Sequence, residues 1–342
     1  MAKKRIGIIG CGQWGPNQIH TFFLHPEANV VRICDLDIER LNINKAVYRN
    51  IDTTQKSEEI TGAKDIDAVV ICTPTVTHYE IAKDALLNGK DVLCEKPIST
   101  SIQETKELIK IADEKKLILM VGHVFLYNPG ILKLKELLKS KECGDTFYVH
   151  SQRTNLGPIR NDVNVIYDLA SHDIYIFNYL LDGKPKVISA LGKCILRSNI
   201  EDIAFISLEY PNNILVHLHV SWLDPKKIRE ITVVGSKKMI TWNDMLARPI
   251  EVYSKHVEKD PYHYEFGEFH LVAKEGEVLI PYVKNASPLK LQTDHFIDCI
   301  NKRKSPLSDG ANGLEVVEIL NEIQNKLTTG QSADKNSLSR KL

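Results

Sequence analysis

Two patterns of apolar and polar positions divide the chain. From residue 5 to about 121, short runs rich in β-branched residues alternate with longer segments of helical periodicity. The runs predict strands at 5–9, 30–34, 68–72, 91–94 and 117–121. Thr77 is placed to cap a helix that stops at Gly89, and Ser101 with Glu104 forms a capping box for the next helix. Alternating strands and helices are typical of a doubly wound parallel sheet in an α/β fold.

The pattern changes after a predicted helix at 129–139. Strands predicted at 146–152, 187–196, 204–210, 215–221 and 230–234 follow one another, with one helix at 168–181 among them. Pro211, Asn212 and Asn213 form a predicted hairpin turn. Consecutive strands predict a large, mostly antiparallel open sheet in an α+β domain. Two last helices, near 289–302 and 313–326, are expected to pack back against the first domain.

These patterns predict a domain organisation in three parts. Residues 1–124 are expected to form the domain with the doubly wound parallel sheet, and 125–327 the α+β domain. Residues 328–342 form a polar tail, rich in Ser and Lys, without an apolar period, so we expect poor order there.

Charge and cysteine content exclude several classes of protein. The 342 residues contain 44 Lys and Arg and 44 Asp and Glu, so the formal charge is zero. A neutral chain has no field that gathers nucleic acid or anionic membrane surfaces, and neither is an expected partner. The seven cysteines are scattered without a C-x-x-C pair, so no disulfide framework, zinc site or redox couple is expected. No stretch reaches the length of about 20 apolar residues that a membrane span requires. The first apolar run is too short for a signal peptide, so we expect a cytoplasmic protein.

A glycine-rich loop follows the first strand, with the sequence Gly10-Cys11-Gly12-Gln13-Trp14-Gly15. In such loops the first glycine makes the turn, the second lets the backbone approach a pyrophosphate, and the third allows close helix packing. Asp35 ends the second predicted strand about 20 residues later, where an acid accepts hydrogen bonds from ribose hydroxyls and repels a 2′-phosphate. The cofactor predicted from these residues is NAD, so residues 1–124 are expected to be an NAD-binding Rossmann domain and 125–327 the substrate-binding and oligomerisation domain.

Two further groups of residues could perform chemistry. Lys96 follows a predicted buried strand, and ligands of such sheets lie at the carboxyl ends of the strands. Lys96 could bind the nicotinamide ribose and the substrate hydroxyl, or it could be a surface lysine before a turn. Asp168 and His172 are four residues apart on a predicted helix, so the carboxylate could orient the imidazole. The pair could also be half of a metal site, but no further ligands have convincing spacing, and no metal is expected.

In their order along the chain, these motifs resemble the Gfo/Idh/MocA oxidoreductases. The resemblance rests on the glycine loop, Cys72-Thr73-Pro74-Thr75 with His78, Glu95-Lys96-Pro97, and Asp168-x-x-x-His172-Asp173, and it spans roughly residues 5–326. It implies that Lys96, Asp168 and His172 are catalytic, with His172 taking the proton from a ring hydroxyl. The implied cofactor contacts are Gly10, Gly12, Gln13, Trp14, Gly15, Asp35, Thr73, Pro74, Thr75, His78, Glu95 and Lys96. The family's C-terminal sheet commonly forms an oligomer interface, which implies a homodimer or homotetramer.

The segment 153–172 resembles the branch that acts on nucleotide-activated amino sugars such as UDP-N-acetylglucosamine, at C3. Residues 163–167 differ from the glycines that many family members have before the aspartate, which argues against a polyol substrate. The implied substrate-binding residues are Lys96, Tyr127, Asn128, Arg153, Arg160, Asn161 and His172. Arg153 and Arg160 are the cations expected at a diphosphate, although both could instead be solvated charges at strand ends.

Three alternatives remain open at this stage. One is a dehydrogenase of inositol or a free sugar in the same family. Another is a glycoside hydrolase that uses NAD for transient oxidation without net redox change. The third is a non-catalytic dinucleotide sensor, against which the presence of Lys96, Asp168 and His172 together argues.

Overall fold

The computed structural model describes residues 3–259 and 271–338, without the side chains of residues 259 and 328–338. The chain divides into two compact units. The first is Met1–Tyr127 with Ala286–Glu318, and the second is Asn128–Asn285 with Ile319–Leu342. The segment 286–318 therefore lies in the first unit, whereas the sequence assigned it to the second domain. It does so because its helix buries Phe296 against Phe22, with ring centroids 6.2 Å apart.

The first unit contains a six-stranded parallel sheet. Its strands are β1 Lys4–Ile9, β2 Ala28–Cys34, β3 Asp52–Thr54, β4 Ala68–Ile71, β5 Asp91–Cys94 and β6 Leu119–Val121. Its first five helices are α1 Gly15–Leu24, α2 Ile38–Val47, α3 Glu58–Thr61, α4 His78–Leu87 and α5 Ile102–Lys115. The sheet order β3-β2-β1-β4-β5-β6 is that of dinucleotide-binding folds. The predicted Rossmann fold is confirmed.

The elements of this unit follow from local sequence. β4 and β5 are buried along their whole length, as expected of central parallel strands covered on both faces. The Ser101 side chain accepts from the Glu104 amide at the start of α5, as the capping box predicted. Strand β3 was not predicted, because it is a short Asp-Thr-Thr edge segment without an apolar run.

The second unit is built on an eight-stranded sheet. The strands of this sheet are β7 Thr146–Leu156, β8 Lys186–Lys193, β9 Ile203–Tyr210, β10 Ile214–Ser221, β11 Leu223–Gly235, β12 Met239–Asn243, β13 Ile250–Tyr253 and β16 Val278–Leu279. Two further strands, β14 His256–Lys259 and β15 Leu271–Lys274, form a separate two-stranded ribbon. The sheet order is β16-β13-β12-β11-β7-β10-β9-β8. Within the described chain, β7 and β10 run parallel and the other neighbours antiparallel. The predicted mostly antiparallel sheet is confirmed.

Alternation along these strands gives the sheet a core face and an open face. Ile206, Leu218 and Ile231 are fully buried on the core face. On the open face, Phe205 lies opposite His219 in the register of β9 and β10, and Phe205 is 41% exposed. The open face therefore combines aromatic, aliphatic and imidazole side chains.

In the described part of the chain, the remaining α-helices are α6 Pro129–Lys139, α7 Ser171–Leu180, α8 Pro288–Lys302 and α9 Gly310–Leu338. The helix predicted from Asp168 begins instead at Ile166 with a π-helical turn, which becomes α-helical at Ser171. The last helix continues to Leu338, beyond its predicted end at Lys326, because its polar residues include no proline to stop it. The remainder of the predicted tail lies outside the described residues.

Candidate active site

The three glycines of the loop between β1 and α1 have different surroundings. Gly10 has φ +99°, and a Cβ there would lie 2.6 Å from the backbone carbonyl of Cys72. A Cβ on Gly15 would lie 2.1 Å from the Gly10 carbonyl oxygen. At Gly12 the nearest described atom is on the Arg40 guanidinium, 3.5 Å away, so this backbone faces open space. The loop fits a dinucleotide, whose pyrophosphate needs close backbone approach and the amides of a helix N-terminus.

Asp35 follows β2 and lies beside this loop. Its carboxylate accepts hydrogen bonds from the amides of Cys11, at 2.7 Å, and Asp37, at 2.9 Å. The Arg40 guanidinium lies 3.8 Å from Asp35 and 3.3 Å from Asp37. Asp35 is thus a fixed acceptor where the ribose hydroxyls of NAD bind in such folds. Because the carboxylates of Asp35 and Asp37 neutralise the positive charge of Arg40, this arginine offers little attraction to a 2′-phosphate.

The carboxylate of Glu95 joins the glycine loop to the turn after β5. It accepts from the Trp14 indole at 2.6 Å and the Gln18 amide at 2.9 Å, while Gln13 is exposed at the loop. Burial raises the pKa of Glu95, and these two donors oppose that rise. A Cβ on Gly122 would lie 2.7 Å from this carboxylate, so glycine makes room for it. Glu95, predicted as a cofactor contact, instead has its carboxylate bound by side chains of the protein.

His78, another predicted cofactor contact, supports the loop that follows β4. It is buried, and its Nδ1 and Nε2 lie 2.8 Å and 2.9 Å from the carbonyl oxygens of Pro97 and Thr73. Both ring nitrogens therefore face protein carbonyls, and the imidazole ties this loop to the turn that carries Lys96. Thr75 is also buried, whereas Pro74 is exposed. His78 as a cofactor contact therefore stays a prediction, and both of its ring nitrogens already have carbonyl oxygens of the protein as neighbours.

A histidine that the sequence analysis missed lies beside Lys96. The parallel pairing of β5 and β6 places Cys94 opposite Val121, so Lys96 and His123 follow their strands at corresponding positions. His123 is buried, and its Nδ1 lies 2.7 Å from Asn312 Oδ1. Burial, with a smaller contribution from the charge of Lys96, lowers the pKa of His123 to about 3. A neutral imidazole therefore lies near the Lys96 ammonium.

In the second unit, Asp168 lies within the π-helical turn and is held from two sides. One carboxylate oxygen accepts from the Trp222 indole at 3.0 Å, and the other lies 3.4 Å from an Arg160 nitrogen. His172 follows in the first turn of α7, with Nδ1 2.7 Å from the Tyr175 hydroxyl. π-helical turns in α-helices are frequent at functional sites. Trp222 was not predicted to contact Asp168, because a strand end 54 residues away gives no local signal.

The two arginines predicted to bind a diphosphate are both paired with carboxylates. Arg153 is 3% exposed, and its guanidinium donates to Asp173 at 2.8 Å and 3.3 Å. Arg160 donates to Asp162 at 2.9 Å and 2.5 Å, besides its contact with Asp168. Arg153 therefore forms a buried ion pair with Asp173, and Arg160 positions Asp168. The prediction that they offer charge to a diphosphate is not supported by these contacts.

The remaining predicted substrate contacts also have structural partners. The Tyr127 side chain is buried, with its hydroxyl 3.1 Å from Ser308 Oγ. Asn128 caps α6, because its Oδ1 accepts from the Gly130 amide at 2.8 Å, and its amide donates to Asp244 at 3.0 Å. These two residues shape the chain at the boundary of the units rather than presenting free polar groups.

Asn161 accepts a hydrogen bond from the guanidinium of Arg197, which sequence reasoning had not singled out. The same guanidinium donates to the Arg160 carbonyl oxygen at 2.5 Å. A cation from the loop after β8 thus reaches the segment that precedes the π-helical turn.

Nowhere in 3–259 and 271–338 do three or more His, Cys, Asp or Glu side chains gather as a metal site would require. In the same part of the chain, no helix combines the length and apolar character needed to cross a membrane.

Two family profiles match the chain. Residues 4–123 match the profile described as "Oxidoreductase family, NAD-binding Rossmann fold". Residues 131–241 match the "GFO/IDH/MocA C-terminal domain". The first range contains the glycine loop and Lys96, and the second contains Asp168 and His172. The chain therefore carries an NAD-binding Rossmann domain.

Individual relatives cover most of the chain at low identity. UDP-N-acetylglucosamine 3-dehydrogenase of Acidithiobacillus ferrooxidans is 26% identical over 255 residues, 72% of this chain and 74% of that protein. Inositol 2-dehydrogenase 2 of Saccharopolyspora erythraea is 28% identical over 224 residues, 63% of this chain and 66% of that protein. The solved structure of the WlbA dehydrogenase from Bordetella pertussis in complex with NADH and UDP-GlcNAcA has a TM-score of 0.81 at 21% identity, covering 96% of both chains.

Proposed function

Because the chain belongs to the Gfo/Idh/MocA oxidoreductase family, we propose that it is an enzyme that oxidises a ring hydroxyl of a sugar to a ketone with NAD. The proposed substrate is a UDP-N-acetylhexosamine, oxidised at C3, and the proposed role is in making sugars of cell-surface polysaccharide or lipid A. The relative that is 26% identical carries the name of this reaction. The observation that carries the proposal is Asp168 held by Trp222 and Arg160, one helical turn before His172.

The residues proposed to bind the cofactor belong to the first unit. The glycine loop and the N-terminus of α1 bind the pyrophosphate, and Asp35 accepts from the adenosine ribose. When bound, NAD supplies the acceptor for the hydride that leaves the sugar carbon. Lys96 donates to the nicotinamide ribose and to the reacting hydroxyl, and the neutral His123 beside it adds no competing positive charge.

The proton of the reacting hydroxyl goes to His172. Removal of this proton by a positioned base is required because the hydroxyl oxygen becomes a carbonyl oxygen as hydride leaves the same carbon. The Tyr175 hydroxyl, 2.7 Å from Nδ1, fixes the orientation of the imidazole. Asp168, immobilised by Trp222 and Arg160, provides negative charge that favours the imidazolium formed in this step.

The open face of the second unit's sheet is proposed to join subunits in a homodimer or homotetramer. Phe205 stacks on His219, with ring centroids 4.5 Å apart, and on His217 at 6.4 Å. Leu215 and Tyr148, which are 50% and 44% exposed, extend this apolar and aromatic surface across β10 and β7. Exposed contiguous patches of this kind mark interaction sites on soluble proteins.

A second candidate is a dehydrogenase of inositol or a free sugar. The inositol 2-dehydrogenase that is 28% identical over 224 residues favours it. The two candidates differ in one chemical requirement, because only a nucleotide-linked substrate brings a diphosphate into the second unit.

Absorbance at 340 nm with purified protein and NAD tests the proposal. The panel contains UDP- and TDP-hexoses, inositol and free aldoses. NADH formed with UDP-N-acetylhexosamine and not with the free sugar supports the proposed function. Signal with polyols alone moves the protein to the second candidate. Release of free sugar without accumulation of NADH contradicts both and indicates a hydrolase.

A further inference from the structure

Three arginines of the second unit, Arg153, Arg160 and Arg197, differ in how their charge is balanced. Arg153 and Arg160 are each paired with carboxylates. Arg197 donates to the side-chain oxygen of Asn161 and to the backbone carbonyl of Arg160, which are both neutral acceptors. Among the described side chains, no carboxylate lies within 4.0 Å of the Arg197 guanidinium. Arg197 therefore keeps an unneutralised positive charge.

The Arg197 guanidinium also has unused hydrogen-bonding capacity. Its Nε is buried and has no hydrogen-bond partner among the described residues. A guanidinium has five N–H donors in a planar fork that matches the oxygens of a phosphate. Leaving a buried donor of a charged group without an acceptor is unfavourable, unless a ligand supplies one.

The loop that carries Arg197 is held in place by a buried carboxylate. Asp202 is fully buried, and its side chain accepts from the amides of Ile195 and Leu196 at 2.7 Å and 2.8 Å. Its backbone carbonyl accepts from the Trp222 amide at 2.9 Å, and the Trp222 indole in turn donates to Asp168. The position of Arg197 is thereby fixed relative to the proposed catalytic aspartate.

From this balance of charge and anchoring, we infer that Arg197 is a specificity residue that binds the diphosphate of a nucleotide-activated sugar. This inference rests on the proposed function. It assigns the diphosphate to Arg197 instead of Arg153 and Arg160. Arg160 spans the interval between Arg197 and Asp168, since its carbonyl binds the former and its guanidinium the latter. In such a substrate the diphosphate is carried at C1, two ring carbons from C3, so an anion site near the acid–base group is required.

The test measures binding of UDP by titration calorimetry in the presence of saturating NADH, which occupies the pyrophosphate site of the glycine loop. Arg197→Gln is expected to weaken UDP binding by at least about tenfold, the worth of a charge-assisted hydrogen bond. Arg197→Lys, which keeps the charge without the fork, is expected to retain part of the affinity. Arg248→Gln is the matched control, because it removes an exposed arginine from the turn between β12 and β13 of the same unit.

The same variants are assayed at 340 nm with UDP-N-acetylglucosamine, where Arg197→Gln is expected to raise KM with little change in kcat. Unchanged UDP affinity and unchanged KM in Arg197→Gln, with an active wild type, overturn the role of Arg197 alone. A wild type that neither binds UDP nor oxidises the UDP-sugar overturns the proposed function as well. Retained NADH binding and melting temperature in each variant show that a loss of UDP binding is not a loss of fold.

Discussion

Residues that look alike in the sequence of this protein have different roles: some are needed for the packing of the fold, and others for binding a ligand. Gly10 and Gly12 belong to one loop, yet a Cβ at Gly10 would collide with backbone 2.6 Å away, whereas the nearest described atom at Gly12 is 3.5 Å away. Glu95 and His78 look like cofactor contacts in the sequence, but their polar atoms bind the protein itself. A residue that contacts a ligand is thus recognised by polar atoms or backbone that the rest of the protein leaves without a neighbour.

The two glycines give a paired prediction. Gly10→Ala is expected to lower the free energy of unfolding by at least about 1–3 kcal/mol, the cost of a strained backbone, before any collision is counted. Gly12→Ala is expected to keep the melting temperature of the wild type and to lose NAD affinity, because its Cβ enters only the space for the pyrophosphate. Thermal unfolding and NAD titration of both variants check this, and equal melting temperatures would contradict it.

His172 gives a prediction about catalysis. His172→Ala is expected to reduce kcat by about 10² to 10⁴-fold, the usual contribution of a positioned acid–base group. NAD affinity is expected to stay nearly unchanged, because no cofactor contact is proposed for this side chain. Steady-state kinetics with an NAD titration provide the measurement. An active His172→Ala enzyme would remove the proposed base.

At the scale of elements, the sequence predicted what is local and missed what is distant. Runs of apolar residues located five strands of the first unit and β7 to β11 of the second, but they missed β3 and β12 to β16. The Ser101 capping box located α5, because its signal lies within a few residues. The contacts that fix the site join partners far apart: Trp14 to Glu95 across 81 residues, and His123 to Asn312 across 189. A single sequence carries no signal for such pairs, since each member has an ordinary polar surrounding of its own.

The π-helical turn before α7 gives a prediction of its own. Trp222→Phe keeps an aromatic side chain at the end of β10 but removes the donor to Asp168, so we expect kcat to fall by about tenfold. Trp242→Phe in β12 is the matched control, because this tryptophan is also fully buried in the same sheet. The prediction is that the two variants lose similar stability but different activity. Equal kcat values would show that the Trp222 donor has no role in the reaction.

His123 links the end of β6 to the start of α9 and gives a prediction about pH. The pKa of His123 is about 3 in the folded protein, whereas the ordinary value for histidine is 6.5. Between these two pH values the unfolded chain therefore binds a proton that the folded chain does not. Stability must therefore fall as pH falls through this window, by up to about 1.4 kcal/mol per pH unit from this one group. His123→Asn, which places an amide nitrogen near Asn312, is expected to reduce this slope. Urea unfolding between pH 6.5 and 4 measures it, and an unchanged slope would contradict the account.

At the scale of the whole molecule, the open face of the large sheet is an apolar and aromatic surface among the described residues. Formal charge is zero, so association through this face does not have to overcome net repulsion between subunits. Phe205, Leu215 and Tyr148 supply apolar area, and the imidazoles of His217 and His219 stack on Phe205. The second unit would then both bind substrate and join subunits.

Phe205→Asp is expected to shift the protein towards the monomer, because it places a charge in the centre of the proposed interface. The matched control is Ile43→Asp on α2, where the side chain is 67% exposed in the first unit. Light scattering coupled to size-exclusion chromatography gives the molar mass of each variant. A wild-type monomer, or an oligomer that survives Phe205→Asp, would exclude this face as the interface.

In the proposed reaction, hydride leaves C3 of a nucleotide-linked amino sugar for NAD. This step is tested most directly by incubating the protein with NAD and UDP-N-acetylglucosamine deuterated at C3, followed by mass spectrometry of the reduced cofactor. Deuterium is expected in the reduced nicotinamide, together with a slower rate than with the unlabelled sugar. Reduced cofactor without deuterium would place the oxidation at another carbon, and no reduced cofactor at all would contradict the proposed reaction.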